Sequence, residues 1–187
     1  LFPVRALAML FLTSESAPAF NIRGLHLAWM GNRDELTPQT KMGPRRLPRL
    51  IVFDLDACLW SPEMYELDDE PTKYDPSEDG VVAGQDVVRL FPSAKEVLRR
   101  LLTDPELKDI TVAVASSTTE PRFAHRCLDE IVLDASSGKV LGQLVSHREI
   151  YHGNKGRQHF PRLSDVTGFK FSEMLFFDDC TYSDNCA

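Results

Sequence analysis

The chain has 187 residues, of which 43% are hydrophobic and 26% are charged, and its formal net charge is −7. This length and composition predict one globular domain with a hydrophobic core. The negative charge argues against a nucleic-acid partner, and no apolar run reaches the roughly 18 residues needed for a membrane span. The cysteines, at positions 58, 127, 180 and 186, include no C-x-x-C pair, which favours reduced thiols.

Residues 1–48 differ from the rest of the chain in charge. Residues 1–50 hold seven basic and three acidic side chains, and several prolines interrupt the second half of the segment. Arg5 precedes an apolar run over residues 6–12, and an A-x-A sequence at 17–19 has the form of a signal-peptidase site. The segment is similar to leaders that direct proteins to plastids through the secretory route. It is predicted to be a targeting leader or a disordered extension of a cytoplasmic protein, with the domain spanning residues 49–187.

The first half of this domain begins with a buried strand at residues 51–53, "IVF". Residues 61–80 contain eight acids, one lysine and several prolines, which predict a loop or an irregular hairpin. Residues 80–90 are predicted to form a short strand. Ser93 and Glu96 have the spacing of a capping box, and the helix that they begin is expected to end near Asp104.

The second half repeats the alternation of strands and helices. Residues 110–115, "ITVAVA", predict a buried strand, and Pro121 begins a helix that runs to about residue 131. A third strand is expected from Leu144, and a last one at residues 174–177, "MLFF". The helix after Lys155 is expected to begin at Pro161, because a proline inside a helix removes a backbone hydrogen bond. The pattern predicts an α/β fold, a Rossmann-like parallel sheet with helices on both faces.

Polar side chains follow the strands of this sheet at the points where the strands end. They are Asp54, Asp56, Ser116, Ser117, Lys155, Asp178 and Asp179. The carboxyl ends of parallel strands share one edge, where ligands bind, so these side chains are expected to lie together. Carboxylates from two strands form the all-oxygen site that Mg²⁺ prefers, while a hydroxyl and a lysine can contact phosphoryl oxygens. The sequence therefore predicts phosphoryl chemistry at this edge.

Four segments carry a family resemblance. In chain order, "VFDLD", "VAVASST", "NK" and "LFFDD" resemble the motifs of the haloacid dehalogenase (HAD) superfamily of phosphotransferases. The sequence from residue 148 to 179 resembles the acid phosphatase branch, the magnesium-dependent phosphatase-1 family. The resemblance covers about residues 50–182. It implies a HAD-type sheet, and the loop at residues 61–80 is too short for a large cap domain.

The resemblance also implies a role for each site residue. It implies a magnesium-dependent phosphomonoester hydrolase, an acid phosphatase, that works through an aspartyl-phosphate intermediate. The implied roles are Asp54 as nucleophile, Asp56 as acid/base, Ser116 and Ser117 as substrate contacts, Lys155 as the neutralising cation, and Asp54, the Asp56 carbonyl, Asp178 and Asp179 as Mg²⁺ ligands. Ser117 stands where this branch often has Arg, and Cys58 stands at a packing position that usually holds Thr.

The expected substrate is a small phosphomonoester or a phosphoprotein, since an open site admits both. The resemblance includes enzymes that act on phosphotyrosine and on phosphosugars. Two alternatives stay open: a noncatalytic protein that binds a phosphorylated ligand, and a receiver-type phospho-acceptor domain. Asp56 argues against the receiver, which lacks an acid two residues after its phosphorylated Asp.

The last strand leads to a further expectation. The resemblance implies another strand and helix after residue 187, so the domain is expected to be truncated at its C-terminus. Residues 174–177 would then form an apolar edge strand, which predicts self-association. Trp60 is expected to pack under the acidic loop. The histidines at 147, 152 and 159 are expected at the surface or around the site, and not as zinc ligands.

Overall fold

The computed structural model describes residues 26–29 and 47–179. The signal-like sequence at residues 1–20 and the chain after Asp179 lie outside the described residues. The strands are β1 His26–Trp29, β2 Leu50–Phe53, β3 Trp60–Ser61, β4 Tyr74–Asp75, β5 Gly80–Ala83, β6 Asp86–Leu90, β7 Thr111–Ser116, β8 Val132–Asp134, β9 Lys139–Val140, β10 His147–Ile150 and β11 Met174–Asp178. The α-helices are α1 Pro92–Thr103, α2 Pro121–Glu130, α3 Leu141–Leu144 and α4 Phe160–Thr167. None of the described helices is long and apolar enough to cross a membrane.

The central sheet has the strand order β1-β11-β2-β7-β10. Four of its strands, β11, β2, β7 and β10, are parallel, and β1 runs antiparallel to β11. This arrangement confirms the predicted α/β fold. Because the four strands are parallel, the chain leaves each of them at the same edge, the edge that follows Phe53, Ser116, Ile150 and Asp178.

Strands β2, β7 and β11 are buried on both sides of the sheet, as their nearly continuous apolar sequences require. In β2, Ile51 and Phe53 contribute to one hydrophobic cluster, which also contains buried residues of α1, α2 and α3. Leu50 and Val52 belong to the opposite cluster, which contains Phe160 of α4. Successive residues of a strand point to opposite faces, so one four-residue strand supports both layers of helices.

The segment between β2 and α1 forms a small antiparallel sheet, with the order β3-β6-β5-β4. The prediction of a single strand over residues 80–90 is wrong, because β5 and β6 form a hairpin that turns at Gly84. Gly84 has a φ of 59°, and an added Cβ there would collide with the Asp69 side chain. The acidic segment at 61–80 contains one 3₁₀ turn at Met64–Glu66 and the short strand β4, which pairs with β5, so it forms an irregular hairpin as predicted.

Helix α1 begins differently from the prediction. Its N-cap is Phe91, Pro92 occupies the first turn, and no side chain caps the helix. The predicted capping box at Ser93 is therefore wrong. Proline suits the first helical position because its fixed φ is already helical and its missing N–H needs no partner there. The helix ends before Asp104, as expected.

The Ser93→Ala variant tests this start. A true N-cap serine contributes about 1 kcal/mol, whereas an uncapped position inside the first turn contributes little. We expect the free energy of unfolding, measured in urea, to change by less than about 0.5 kcal/mol. A decrease in the free energy of unfolding of about 1 kcal/mol or more would mean that Ser93 does cap the helix.

Two further boundaries follow from local geometry. The predicted strand from Leu144 is wrong at its start, because α3 ends at that residue and β10 begins at His147. Before α4, residues Lys155–His159 form one π-helical turn, in which the Phe160 N–H donates to the Lys155 carbonyl. Helix α4 then begins at Phe160, one residue before the predicted position, with Pro161 in its first turn.

Strand β11 is not an edge strand. The β1 backbone pairs with its outer side, with His26 opposite Asp178 and Trp29 opposite Leu175. The expected row of unpaired backbone groups at residues 174–177 is therefore wrong. The covering strand comes from the range that the sequence analysis assigned to the N-terminal extension, so at least four residues of that range join the sheet.

Disrupting β1 should expose this edge. We expect the double variant Leu27→Pro/Ala28→Pro to self-associate at about 10–100 μM, because two consecutive prolines remove at least one hydrogen-bond donor that faces β11. Sedimentation velocity measures the effect, and Leu27→Thr/Ala28→Thr, which keeps the backbone donors, is the control. A double-proline variant that sediments like its control would mean that β1 does not protect β11.

Candidate active site

The predicted polar residues meet at the carboxyl edge of the parallel strands. They surround an open cavity of about 300 Å³. Its lining residues are Asp54, Asp56, Glu63, Tyr65, Ser116, Ser117, Thr118, Thr119, His152, Lys155 and Asp179. Asp178, the last residue of β11, is buried directly behind it. The sheet topology brings the predicted side chains together, because each lies at the end of a parallel strand or in the loop that follows it.

Lys155 lies at the centre of the charged groups. Its Nζ is 2.8 Å from Asp54 Oδ2 and 2.7 Å from Asp178 Oδ2, and its side chain is only 3% exposed. Burial opposes the charge of the ammonium, but the two carboxylates outweigh burial and raise the pKa of Lys155. The lysine is therefore a fixed positive charge at neutral pH.

Three carboxylates beside this lysine are close enough to share a metal ion. Asp54, Asp178 and Asp179 each offer an oxygen within 4.8 Å of the others. With Lys155 as their cationic neighbour, they leave two negative charges in excess when ionised. A hard divalent cation that takes oxygen ligands fits both the donor type and the charge, and these are the properties of Mg²⁺. When bound, the ion would take its remaining ligands from water and from substrate oxygens.

The raised pKa values of the carboxyl groups show the energetic cost of this arrangement. Burial raises the pKa of Asp54 to about 7, although Lys155 acts in the opposite direction. Burial, and then the Asp178 charge, raise the pKa of Asp179. Crowded, desolvated carboxylates take up protons more readily unless a cation compensates them. The protein alone therefore holds this cluster at a cost that a bound cation relieves.

Asp56 is held apart from the cluster by a tight turn. Ala57 has a φ of 56°, a left-handed conformation that is uncommon for a residue with a Cβ. After this turn, the fully buried Trp60 donates its indole N–H to Asp56 Oδ1 over 2.8 Å. Burial raises the pKa of Asp56, and the Trp60 hydrogen bond only partly opposes the effect. Asp56 is thus the carboxyl best suited to carry a proton, because its hydrogen bond comes from the neutral Trp60, whereas Asp54 and Asp178 pair with the charged Lys155.

The end of β7 forms the opposite wall. Ser116 is buried, and its carbonyl accepts a hydrogen bond from the Tyr151 N–H. His159 Nε2 lies 3.1 Å from the same carbonyl and 3.0 Å from that of Tyr151, so it ties the two segments together. The neighbouring Ser117 donates its hydroxyl to the Gly153 carbonyl over 2.7 Å. Both serines line the cavity, but the Ser117 hydroxyl proton is already engaged.

Several cavity residues were missed by the sequence analysis. Thr118 and Thr119 continue the polar run after β7 and could have been included on that ground. Glu63 and Tyr65 lie at the rim because the small sheet carries them there. His152, which was expected at the surface or around the site, lines the cavity from the loop after β10. His159 was expected at the surface or around the site, and it is fully buried beside the end of β7.

The described cysteines are packing residues. Cys58 and Cys127 are free and buried. Burial raises the pKa of Cys58 well above its ordinary value and that of Cys127 to about 12. The Cys58 thiol donates to the Phe177 carbonyl at 3.6 Å. Neither thiol is available as a nucleophile.

Comparison with known proteins finds similarity to phosphatases and to a HAD-like hydrolase. The family described as Acid Phosphatase matches residues 46–187. Magnesium-dependent phosphatase 1 of Homo sapiens is 42% identical over 137 residues, which cover 72% of this chain and 69% of the human protein. A HAD-like hydrolase superfamily protein of Schizosaccharomyces pombe is 26% identical over 136 residues, which cover 71% and 76%.

A solved structure is also among the similar proteins. It is the crystal structure of the N-terminal part of a Bacteroides fragilis protein, containing a phosphatase domain complexed with Mg. The TM-score is 0.42 at 14% identity, and the match covers 70% of this chain. This chain spans 30% of the length of that one.

Proposed function

Because the chain belongs to the acid phosphatase family and is a magnesium-dependent phosphatase, we propose that it hydrolyses phosphomonoesters by passing the phosphoryl group from substrate to Asp54 and then to water. One observation carries the proposal. Lys155 bridges Asp54 and Asp178 in a cavity that also contains Asp56. A nucleophile, a compensating cation and a separate acid are the groups that two successive displacements at phosphorus require.

In the first step, an Asp54 oxygen forms a bond to phosphorus as the bond to the leaving oxygen breaks. Asp56 gives its proton to that oxygen, so an alcohol departs and no alkoxide is released. In the second step, Asp56 takes a proton from water, which attacks the aspartyl phosphate and regenerates Asp54 and inorganic phosphate. Mg²⁺, held by Asp54, Asp178 and Asp179, supplies positive charge to the phosphoryl oxygens when it is bound.

The remaining residues bind and orient the phosphoryl group. Lys155 keeps two carboxylates compensated, which allows an anionic substrate to approach them. Ser116 stands at the end of β7 as a hydroxyl donor for a phosphoryl oxygen. Glu63 and the exposed Tyr65 line this open cavity, and we propose that it takes a sugar phosphate or a phosphotyrosine side chain.

A substrate panel tests the function. We expect release of inorganic phosphate from aryl and alkyl phosphomonoesters with Mg²⁺, and loss of release when the metal is chelated. Phosphodiesters should not react, because the second ester group occupies a phosphoryl oxygen that the cations and donors of the site would contact. Tight binding of phosphomonoesters without turnover would support a noncatalytic phospho-ligand binding protein instead.

The Asp56→Asn variant tests the acid. We expect kcat/KM to fall about 10²- to 10³-fold for an alkyl phosphate but about 10-fold or less for 4-nitrophenyl phosphate, whose leaving group needs no proton. A raised pKa keeps Asp56 protonated to higher pH, and activity falls on the alkaline side as the proton is lost. That limb should disappear in the variant. The exposed Asp68→Asn is the control, and equal losses for both substrates would remove Asp56 from the acid role.

A further inference from the structure

We propose that Trp60 is a positioning residue for Asp56, and that its hydrogen bond sets the orientation of the Asp56 carboxyl toward the leaving group. The inference rests on the acid role proposed above and adds to it a residue that does not touch the phosphoryl group. Trp60 is fully buried and does not line the cavity. Its effect on the reaction must therefore pass through Asp56.

The hydrogen bond itself fixes the orientation of the carboxyl. An indole N–H can only donate, so Asp56 Oδ1, at 2.8 Å from Trp60 Nε1, must accept. The Met64 backbone and the Thr118 side chain also hydrogen-bond to the Asp56 carboxyl. Trp60 is the donor from the buried side, where it does not line the cavity. The carboxyl rotation is fixed at the same time, because only one of its two oxygens can face the indole.

The turn holds the indole and the carboxyl in one rigid unit. The Trp60 carbonyl accepts from the Ala57 N–H at 3.1 Å, and the Trp60 N–H donates to the Leu55 carbonyl at 3.3 Å. Strand β3 then pairs Trp60 with Leu90 of β6. The donor is thus anchored both to the turn that carries Asp56 and to the small sheet. Asp56 is oriented before any substrate arrives, which is the condition for efficient proton transfer.

A packing role explains the burial of Trp60 but makes a different prediction. A buried indole N–H needs some acceptor, and any oxygen would satisfy it. Loss of packing would lower the amount of active protein and reduce every activity in proportion. Loss of positioning would reduce the reactions that need a proton donor and spare those that do not.

The test measures the ratio of kcat/KM for an alkyl phosphate to that for 4-nitrophenyl phosphate, with Mg²⁺ present. This ratio does not depend on the folded fraction of the preparation. Two variants remove the N–H: Trp60→Phe, and Trp60 replaced by benzothienylalanine, which keeps the two-ring shape. We expect the ratio to fall about 10-fold in both. The control is Tyr74→Phe, which removes an aromatic donor to the Asp79 carboxylate, at 2.5 Å and outside the cavity.

The outcomes separate this inference from the proposed function. An unchanged ratio in both Trp60 variants, while Asp56→Asn lowers it, would overturn the positioning role alone. An unchanged ratio in Asp56→Asn would overturn the acid role and this inference with it. In the Asp56→Asn background, Trp60→Phe should produce no further fall in the ratio, and an additional fall of the same size would also overturn the inference.

Discussion

The Asp54→Asn variant is expected to lose turnover by about 10⁴-fold or more while keeping its fold. An amide is a poor nucleophile toward phosphorus and does not bind a divalent cation as an anion does. The side chains are nearly equal in size, and the amide removes a carboxyl whose burial raises its pKa to about 7. We therefore expect thermal stability without Mg²⁺ to be kept or slightly raised. Release of inorganic phosphate from 4-nitrophenyl phosphate measures the loss.

The exposed Asp109→Asn provides the matched control, since it makes the same chemical change away from the cavity. Trapping the phosphorylated enzyme in acid adds a second readout. The natural chain should yield an acid-stable, hydroxylamine-sensitive acyl phosphate, and the variant should yield none. Magnesium-dependent hydrolysis that survives Asp54→Asn would contradict the two-step mechanism.

The Lys155→Met variant is expected to lose both activity and stability. Its ammonium is the shared partner of two carboxylates, and the methionine side chain has a similar length without the charge. Removing one partner of a buried charge cluster costs about 3–5 kcal/mol, and removing a charge that stabilises a phosphoryl transition state costs about 10²- to 10³-fold in kcat. Urea unfolding without metal and steady-state kinetics with Mg²⁺ measure the two effects.

The control for this variant is the exposed Lys108→Met. Saturating Mg²⁺ should recover part of the lost stability, because the cation compensates the same carboxylates. It should not recover the rate. A variant with normal kcat would mean that Lys155 serves only to hold the fold.

The site could be predicted from sequence because of where its residues stand along the chain. Asp54, Ser116 and Asp178 each stand at the end of a strand with an unmistakable apolar pattern. In a parallel sheet that position alone fixes which edge they reach. The lysine could be added because it follows another strand of the same sheet. The positions of the strand ends along the chain were therefore enough to predict that these groups lie close together.

The failures concern features that depend on pairing or on backbone turns. The contact between Trp60 and Asp56 depends on the positive φ of Ala57, which nothing in the amino-acid pattern indicates. Strand β1 has four residues, and its partner β11 lies near the other end of the described chain. Local sequence cannot specify such a pairing. Helix α1 starts at Pro92 because the fixed φ of proline suits the first helical position, and the adjacent Ser93 therefore lies inside the helix and does not cap it.

The π-helical turn at Lys155–His159 makes chain length, and not only side-chain identity, a determinant of this site. It holds one residue more than an α-helical turn does, and each residue of a helix advances the chain by about 100° around the axis. Loss of one residue between Lys155 and Phe160 would turn the lysine away from Asp54 and Asp178. In evolutionary terms, the exposed position 157 is free to vary in side chain, whereas the Gln158 side chain accepts a hydrogen bond from the Asn154 N–H. The same stretch is closed to insertion and deletion, so relatives that keep the chemistry should keep its spacing.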